Sequence, residues 1–474
     1  MNQIVDTKSS KDRAKDSQGG GGSGIKSVHT TTRTTTTTTS SGSSISGFGP
    51  QYLSRYGLGL FLCLVVASYG FVRDVVVDSG LLLGAIQPLN TAGCEPIVLE
   101  STGKPLQSCE DVHIHYGSGL VFTACGNAEA RKTWLPAVGM FNVSVGPEGV
   151  QDELVVYDIA TGVARAMELV GFPANVDRVF HGMDFFQESS GKQTTLTIFL
   201  INHRRTGSVV EVLEYTLGVD SNKVRYVKTI EHDLIQTPND ILAMGPRSFY
   251  VTNDHFYKNG TMRIVEETLR RPWSSVLSVS PTKTVIAYAG IVSANGITSN
   301  RDRSQIYVSA CHGAALHVLR PNHPGLHPDA RFAPDAVVET PPPLVSEHYV
   351  KLDFYSDNPS FDPATGSILL AGHVQPFRLL TGLNTPEKPI QGPSRVVQVS
   401  LNKDRKHRMQ VSTKGISWGF DESDRYKVKK VLEDDGQKIS TATSAVVDRM
   451  RGVMFVGTVL SDRGLWRCPI PQDD

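Results

Sequence analysis

The pattern of apolar and polar positions changes twice along the 474 residues. Residues 1–55 hold few apolar side chains among Gly, Ser, Thr and charges, with the run Thr30 to Thr39 broken only by Arg33. So little apolar surface cannot offset the entropy of ordering, and a disordered low-complexity tail is expected. One strongly apolar run follows, Gly57 to Val72. Beyond about residue 95 helical spacing is almost absent, and short β-rich runs recur. Leu120–Ala124, Leu196–Ile201, Val209–Tyr215, Ser248–Thr252, Gln305–Ala310, Val396–Leu401 and Val453–Val459 are examples, separated by clusters of Gly, Pro, Asn and Asp. That is the pattern of antiparallel sheets joined by turns. Segments such as SANGITSNRDRSQIYVSA and NPSFDPATGSILLAG resemble one another. A four-stranded unit repeated every ~40–60 residues gives about six units, which predicts an all-β, six-bladed β-propeller over 94–474. A sandwich is the rival, but it would not need so many strands in one domain.

At about 1.5 Å per residue the apolar run spans ~24 Å, against ~30 Å for a hydrocarbon core. It also fits a signal-peptide core, with Val66-Ala67-Ser68 as cleavage site, or a buried helix. The long tail in front of it, and seven Lys/Arg against three Asp before Gly57, favour an uncleaved signal-anchor over 56–74 with a cytosolic N-terminus. Residues 75–93 read as a linker. The folded part is then luminal or extracellular, membrane-anchored or secreted. Glycosylation acceptors at Asn142-Val-Ser and Asn259-Gly-Thr agree with this placement. Lys+Arg and Asp+Glu number 47 each, so no basic field points to nucleic acid. Cys94 and Cys468 lie near the two ends of the globular region, where a disulfide would close almost the whole domain. For Cys109, Cys125 and Cys311 buried free thiols remain open.

Four acidic or amide pairs stand at the edges of β-like runs: Glu110-Asp111, Asn239-Asp240, Asp254-His255 and Asp357-Asn358, joined by a lone Asn295. Such hard oxygen donors suit Ca²⁺, whereas zinc would want Cys and His. A propeller explains their wide spacing, because its inner strands converge on one channel and each blade can offer one polar residue to an axial ion. His113 and His115 alternate on a strand and share a face, as a zinc half-site would. No third ligand accompanies them, so core or surface placement is expected. A Gly-x-Ser-x-Gly elbow is absent, which argues against an α/β-hydrolase with a serine nucleophile.

From Cys94 onward the chain resembles the serum paraoxonase/arylesterase family. The resemblance is carried, in order, by CEDVHIHYGSGLVFTACG, FHGMDFF, FLINHRRTGSVVEVLEY, TPNDILAMGPRSFYVTNDHFY, SANGITS, YSDNPSFDP and FVGTVLSDRGLWRCPI. It implies a six-bladed propeller with two axial Ca²⁺ ions that hydrolyses lactones and aryl esters. It further implies that Glu110, Asn239, Asn295, Asp357 and Asn358 hold the catalytic ion, and that Asp111, Asp240 and the Met183 carbonyl hold the structural one. His181 and His203 match the family's dyad, the first activating water and the second orienting it. Asp254 and His255 match a pocket wall. The chain departs from the family in its N-terminal extension, and in Val374–Lys438, whose Pro and charge suggest added loops. It departs again at Gly372-His373, where the family has a free cysteine. Two other readings are a sugar lactonase of the gluconolactonase type, and a non-catalytic propeller stapled by calcium.

Overall fold

The computed structural model describes residues 63, 65–66, 68–142, 151–219, 222–322, 336–383, 389–404, 407–412, 415–420 and 424–471. Everything below belongs to one compact unit, Val66–Asp474. The expected tail, 1–55, lies outside the described residues.

Six sheets, five of four strands and one of five, follow one another along the chain as the blades of a β-propeller, antiparallel except where Glu168–Val170 adds a parallel edge to the second. Their inner strands are Cys109–His115, Phe180–Ser190, Pro238–Gly245, Ala294–Ser299, Tyr355–Asp362 and Ala442–Asp448. Each blade then steps outward by hairpins, as the third does through Ser248–Asn253, Ser274–Val279 and Thr284–Ile291. Inner strands such as Pro238–Gly245 are buried along their whole length, so their sequences do not alternate. Outermost strands such as Tyr426–Asp434 expose much of theirs.

Apolar side chains of adjacent blades meet in seams that close the ring. Val446, Phe455 and Leu465 of the sixth blade pack with Val112, Val121 and Val155 of the first. Equivalent clusters join each remaining pair of neighbours. Each fully buried side chain of this kind is worth about 1.5–3 kcal/mol, so the seams are what hold the blades in a ring. Residues from both ends complete it: Glu95–Pro96 pairs with Leu465–Pro469 as the outermost strand of the sixth blade. The expected Cys94–Cys468 disulfide lies beside that pairing. A second disulfide, Cys109–Cys125, links the first two strands of the first blade, while Cys311 is free and buried.

The region expected to add loops, Val374–Lys438, is more ordered than its composition suggests. Ser394–Leu401 and Tyr426–Asp434 are strands of the fifth blade, and a hairpin, His407–Ser412 with Gly415–Phe420, lies between them in sequence. Pro376–Leu383 is a helix. Its apolar residues Leu379 and Leu383 are four apart and buried on one face.

Residues 68–78 are helical. The expected span 56–74 lies largely outside the described residues, and among those described no helix is long and apolar enough to cross a membrane. Asp78, buried at the end of this helix, accepts from Arg270 Nη1 and from Lys351 Nζ, both at 2.8 Å. Gln375 Nε2 donates to the carbonyls of Gly80 and Leu83, and Leu89 bridges to Glu433. The stretch 75–93 therefore touches the propeller at several points. Asn142 and Asn259 are both exposed.

Candidate active site

Every inner strand carries an irregularity, and in the first five it coincides with expected site residues. The register against the second strand jumps across Glu110-Asp111, His181-Gly182, Asn239-Asp240, Asn295-Gly296, Asp357-Asn358 and, in the sixth blade, Thr443. These are β-bulges, in which two residues oppose one and the strand twists away from its ladder. Successive side chains of a regular strand point to opposite faces. The bulge is what brings both members of a pair into buried contacts near the axis. The backbone groups it frees find hydroxyl partners. Thr123 Oγ1 donates to Asp111 O at 2.7 Å, and Thr443 Oγ1 to Glu110 O at 2.6 Å. Asp240 N donates to Thr252 Oγ1 at 3.0 Å.

Glu110, His181, Asn239, Asn295 and Asp357 line one cavity of about 330 Å³. Asn358 joins them by donating Nδ2 to Glu110 Oε1 at 2.7 Å. Glu110 Oε2 and the Oδ1 atoms of Asn239, Asn295 and Asn358 are buried and accept no hydrogen bond. An unsatisfied buried acceptor costs about 1–3 kcal/mol, and four of them in one place demand a partner. Burial, then the neighbouring Asp357, Asp111 and Asp240, push the Glu110 carboxyl well above the usual carboxylate range. Negative charge is thus in excess. Five oxygen donors with a formal charge of −2 fit a hard divalent cation such as calcium. No three of His, Cys, Asp and Glu form a metal-binding group among the described residues, since three of these five donors are amides.

The second expected set is already better satisfied. Asp111 Oδ1 accepts from Val112 N at 2.8 Å, and Oδ2 from Met183 N at 3.0 Å. Asp240 Oδ1 and Oδ2 accept from Ile241 N and Ile297 N, both at 2.7 Å. Burial and then Asp111 push the Asp240 carboxyl well above its usual value, so like charges crowd this pair too. His113, expected as an ordinary core or surface residue, stands beside it. Its Nε2 is 2.9 Å from Asp111 Oδ2, and its Nδ1 is 3.5 Å from Asp184 of the next blade. Burial lowers this imidazole, but Asp111 and Asp184 outweigh burial and hold it at about 10. His115 bonds Ser118 and Gln187 instead.

The rings of His181 and His203 lie 5.1 Å apart between centroids, tilted by 56°. Burial, then His203 and Arg131, push His181 well below its ordinary value. Burial is also the main cause that brings His203 down to about 4. Both are therefore neutral imidazoles at physiological pH. His181 Nε2 is 3.3 Å from Asn239 Nδ2 and 3.8 Å from Glu110 Oε1. His203 is fixed by Ser208 Oγ on Nδ1 at 2.8 Å and by Trp134 Nε1, which donates to its carbonyl at 2.7 Å. The peptide before His181 is gripped from both sides. The fully buried Arg131 donates Nη2 to Phe180 O at 2.8 Å and to Asp152 Oδ2 at 2.6 Å, while Asp152 Oδ2 accepts Phe180 N at 2.8 Å.

A second tier comes from the ends of the second strands. His203, Asp254-His255, Cys311-His312 and His373 occupy equivalent places in the second to fifth blades. Asp254 and His255 line the cavity. His255 Nδ1 bonds Asp254 Oδ1 at 2.8 Å. His255 Nε2 is 3.1 Å from Glu267 Oε1, but out of line for a good hydrogen bond. Burial lowers His255, but Asp254 and Glu267 more than reverse this and hold it at about 9. His373 Nε2 is 3.4 Å from Asp357 Oδ2. Cys311, His312 and His373 line the cavity and had no expected role. Their shared position with His203 and Asp254-His255 is the signal that would have found them.

A family model described as Arylesterase matches residues 150–414, more than half of the chain. The chain belongs to the arylesterase family. As a member of that family it is a carboxylic-ester hydrolase. Serum paraoxonase/lactonase 3 of Oryctolagus cuniculus is 28% identical over 403 residues, covering 84% of this chain and 96% of that protein. Serum paraoxonase/arylesterase 2 of Bos taurus is 32% identical over 211 residues, 44% of this chain and 52% of that one. Among solved structures, a luciferin-regenerating enzyme aligns over 81% of this chain and 95% of its own at 11% identity, with a TM-score of 0.42. Ester hydrolysis needs a place for the carbonyl oxygen, a nucleophile and walls that select the acyl and leaving groups. The axial cavity holds unsatisfied donors for a cation, a neutral imidazole beside them, and walls of two kinds.

Proposed function

We propose that the chain is a calcium-dependent hydrolase of lactones and aryl esters. The observation that carries this reading is the gathering of three orphaned oxygens, on Glu110, Asn239 and Asn295, with His181 in one cavity, and of a fourth on Asn358, which bonds Glu110. Glu110, Asn239, Asn295, Asp357 and Asn358 would hold a catalytic ion, and Asp111, Asp240 and the Met183 carbonyl a structural one. Calcium, when bound by the first set, supplies a Lewis acid for the ester carbonyl and stabilises charge growing on its oxygen. The remaining work falls to the chain. His181 Nε2, on the side of Asn239 and Glu110, takes a proton from water as the water oxygen bonds to the carbonyl carbon. The carbon–oxygen bond of the ester then breaks, and the proton held on His181 passes to the departing oxygen. A lactone opens to its hydroxy acid, with no covalent link to the protein. His203, held by Ser208 and Trp134, would orient the first ring by packing against it, since His181 Nδ1 and His203 Nε2 are not hydrogen-bonded. The two disulfides support a luminal or extracellular site of action for the propeller, anchored by the apolar run or secreted.

The test is hydrolysis of γ- and δ-lactones and phenyl acetate by the full chain, with and without a calcium chelator. Activity should be lost on chelation and return with calcium. His181→Gln should lower turnover by about 10²–10⁴, the usual worth of a general base, with melting temperature and calcium affinity kept. Absence of turnover on all three with calcium bound would leave a calcium-stapled propeller instead. Failure of His181→Gln to fold would make that histidine structural.

A further inference from the structure

The axial cavity has two unlike flanks. One is apolar, where Val138, Leu379 and Val459 pack in one cluster, with Pro376 and Leu380 on the same helix as Leu379. The other presents Glu267, Thr268, Ser293, His312 and Tyr355. Among the described residues several polar atoms on this second flank have no partner. Ser293 Oγ and Thr268 Oγ1 make no hydrogen bond. His312 packs its ring against Tyr355 at 5.3 Å and His255 at 6.1 Å, with neither nitrogen bonded. Glu267 accepts Arg263 Nε on Oε1 at 2.8 Å and leaves Oε2 open.

The flank is also held in place before any ligand arrives. Ser293 sits at φ 55°, a left-handed conformation that costs a non-glycine residue about 1–3 kcal/mol and persists only where its surroundings enforce it. Its carbonyl is fixed by Cys311 N at 2.9 Å. Tyr355 OH accepts from Arg270 Nη2 at 3.0 Å, and Arg270 is itself anchored on buried Asp78. Burial brings His312 down to about 4, so it offers one donor and one acceptor. Burial raises Glu267, but His255 and Arg263 outweigh it and leave the carboxylate ionised, at about 2.

We propose that this flank reads hydroxyl groups, so that the preferred substrate is a lactone or ester hydroxylated along one edge and apolar along the other. The inference rests on the lactonase reading above. Polar groups that line a cavity without a protein partner gain a bond from a substrate hydroxyl, which favours the hydroxylated compound, whereas an apolar wall discriminates weakly. Ser293, His312 and Glu267 are the specificity residues, and Leu379 and Leu380 receive the alkyl part.

The experiment uses the full chain with calcium and three substrates: γ-nonanolactone, its ring-hydroxylated C2 counterpart, and an isomer hydroxylated on the side chain. Each rate is divided by that compound's hydroxide-driven hydrolysis rate, which removes the intrinsic activation by a nearby hydroxyl. At least one hydroxylated isomer should exceed the plain lactone in kcat/KM by about tenfold or more. Ser293→Ala, His312→Phe and Glu267→Leu should each reduce that ratio about threefold or more, the worth of one hydrogen bond, while Glu267→Gln, which keeps an acceptor, stays nearer wild type. A thermal melt checks that each variant folds, and any two that fold suffice. A ratio at or below one for both isomers, or one that no substitution moves, overturns the proposal while the lactonase reading stands. If wild type opens none of the three lactones, both readings fail together.

Discussion

Replacing His203 with Gln should change how stability depends on pH. Burial, helped by Arg131 and Arg263 and opposed by Asp254, holds this imidazole at about 4 against an ordinary 6.5. Between those values the unfolded chain binds a proton that the folded chain refuses. Stability from His203 is therefore fully present above about pH 6.5 and drains away as the pH falls towards about 4. A gap of about 2.5 pH units at about 1.4 kcal/mol each comes to about 3.5 kcal/mol. Glutamine keeps a polar end but cannot titrate. Urea denaturation at steps from about pH 4.5 to about pH 7.5 reads the unfolding free energy directly. Wild type should lose most of that ~3.5 kcal/mol relative to His203→Gln as the solution is acidified. Equal slopes for the two proteins would refute a buried neutral His203. The opposite sign would mean that the folded protein keeps it charged, against Asp254. His255, held at about 9 by Asp254 and Glu267, has its window on the other side. Its contribution is complete below about pH 6.5 and is lost as the pH rises towards about 9, so pH alone separates the two residues.

Arg131→Met should strip the buried Asp152 carboxylate and the Phe180 carbonyl of their donor, costing about 3–5 kcal/mol in urea, and a loss under ~1 kcal/mol would contradict the clamp. The disulfides span 374 and 16 residues, for which loop entropy gives ~6 and ~3 kcal/mol. Replacing Cys94 and Cys468 by Ser should thus lower stability more than replacing Cys109 and Cys125, and the reverse order would sink the entropic account. Gly182→Ala would place a Cβ 2.2 Å from Asn239 O and 2.8 Å from Asp240 Oδ1. The third blade must then shift, and lactone turnover should fall by more than the melting temperature alone accounts for. Unchanged turnover would mean that the axial spacing is loose.

The propeller was legible because its turns and short apolar runs lie on the surface of the sequence pattern. The runs that could be read are second and outer strands, such as Ser248–Asn253 and Val453–Thr458, whereas inner strands such as Pro238–Gly245, buried on both sides and broken by a bulge, do not alternate and were not among them. The acid and amide pairs were legible as a class because no turn needs so many oxygens. Contacts between blades were not. His113 and His115 look equivalent by alternation, yet His113 meets Asp184 of the next blade, and no local spacing records that. The Cys109–Cys125 bond needs the pairing of two neighbouring strands at one residue position, which sequence separation alone does not specify. Helix Pro376–Leu383 was hidden by Pro and charge in its flanks, although Leu379 and Leu383 already stood at helical spacing.

The bulges give a reason for pairs where an axis would seem to need single residues. Two adjacent residues in a bulge leave the strand in different directions, so one can face the cavity while the other reaches sideways. The second positions run Asp111, Gly182, Asp240, Gly296, Asn358 around the ring. Asp111 accepts the N–H of Met183, the residue after Gly182, and Asp240 accepts the N–H of Ile297, the residue after Gly296. Each aspartate thus stitches its blade to the next across a glycine. The glycine is required by space, since a Cβ on Gly182 would stand 2.6 Å from Asp240 Cα and one on Gly296 2.5 Å from Asn358 Cα. The split between residues that face the cavity, Glu110 and Asn239, and neighbours that do not, Asp111 and Asp240, is then a consequence of backbone geometry. Asn358 follows the same rule, because it turns sideways to give its amide to Glu110 of the first blade, two blades further round the ring.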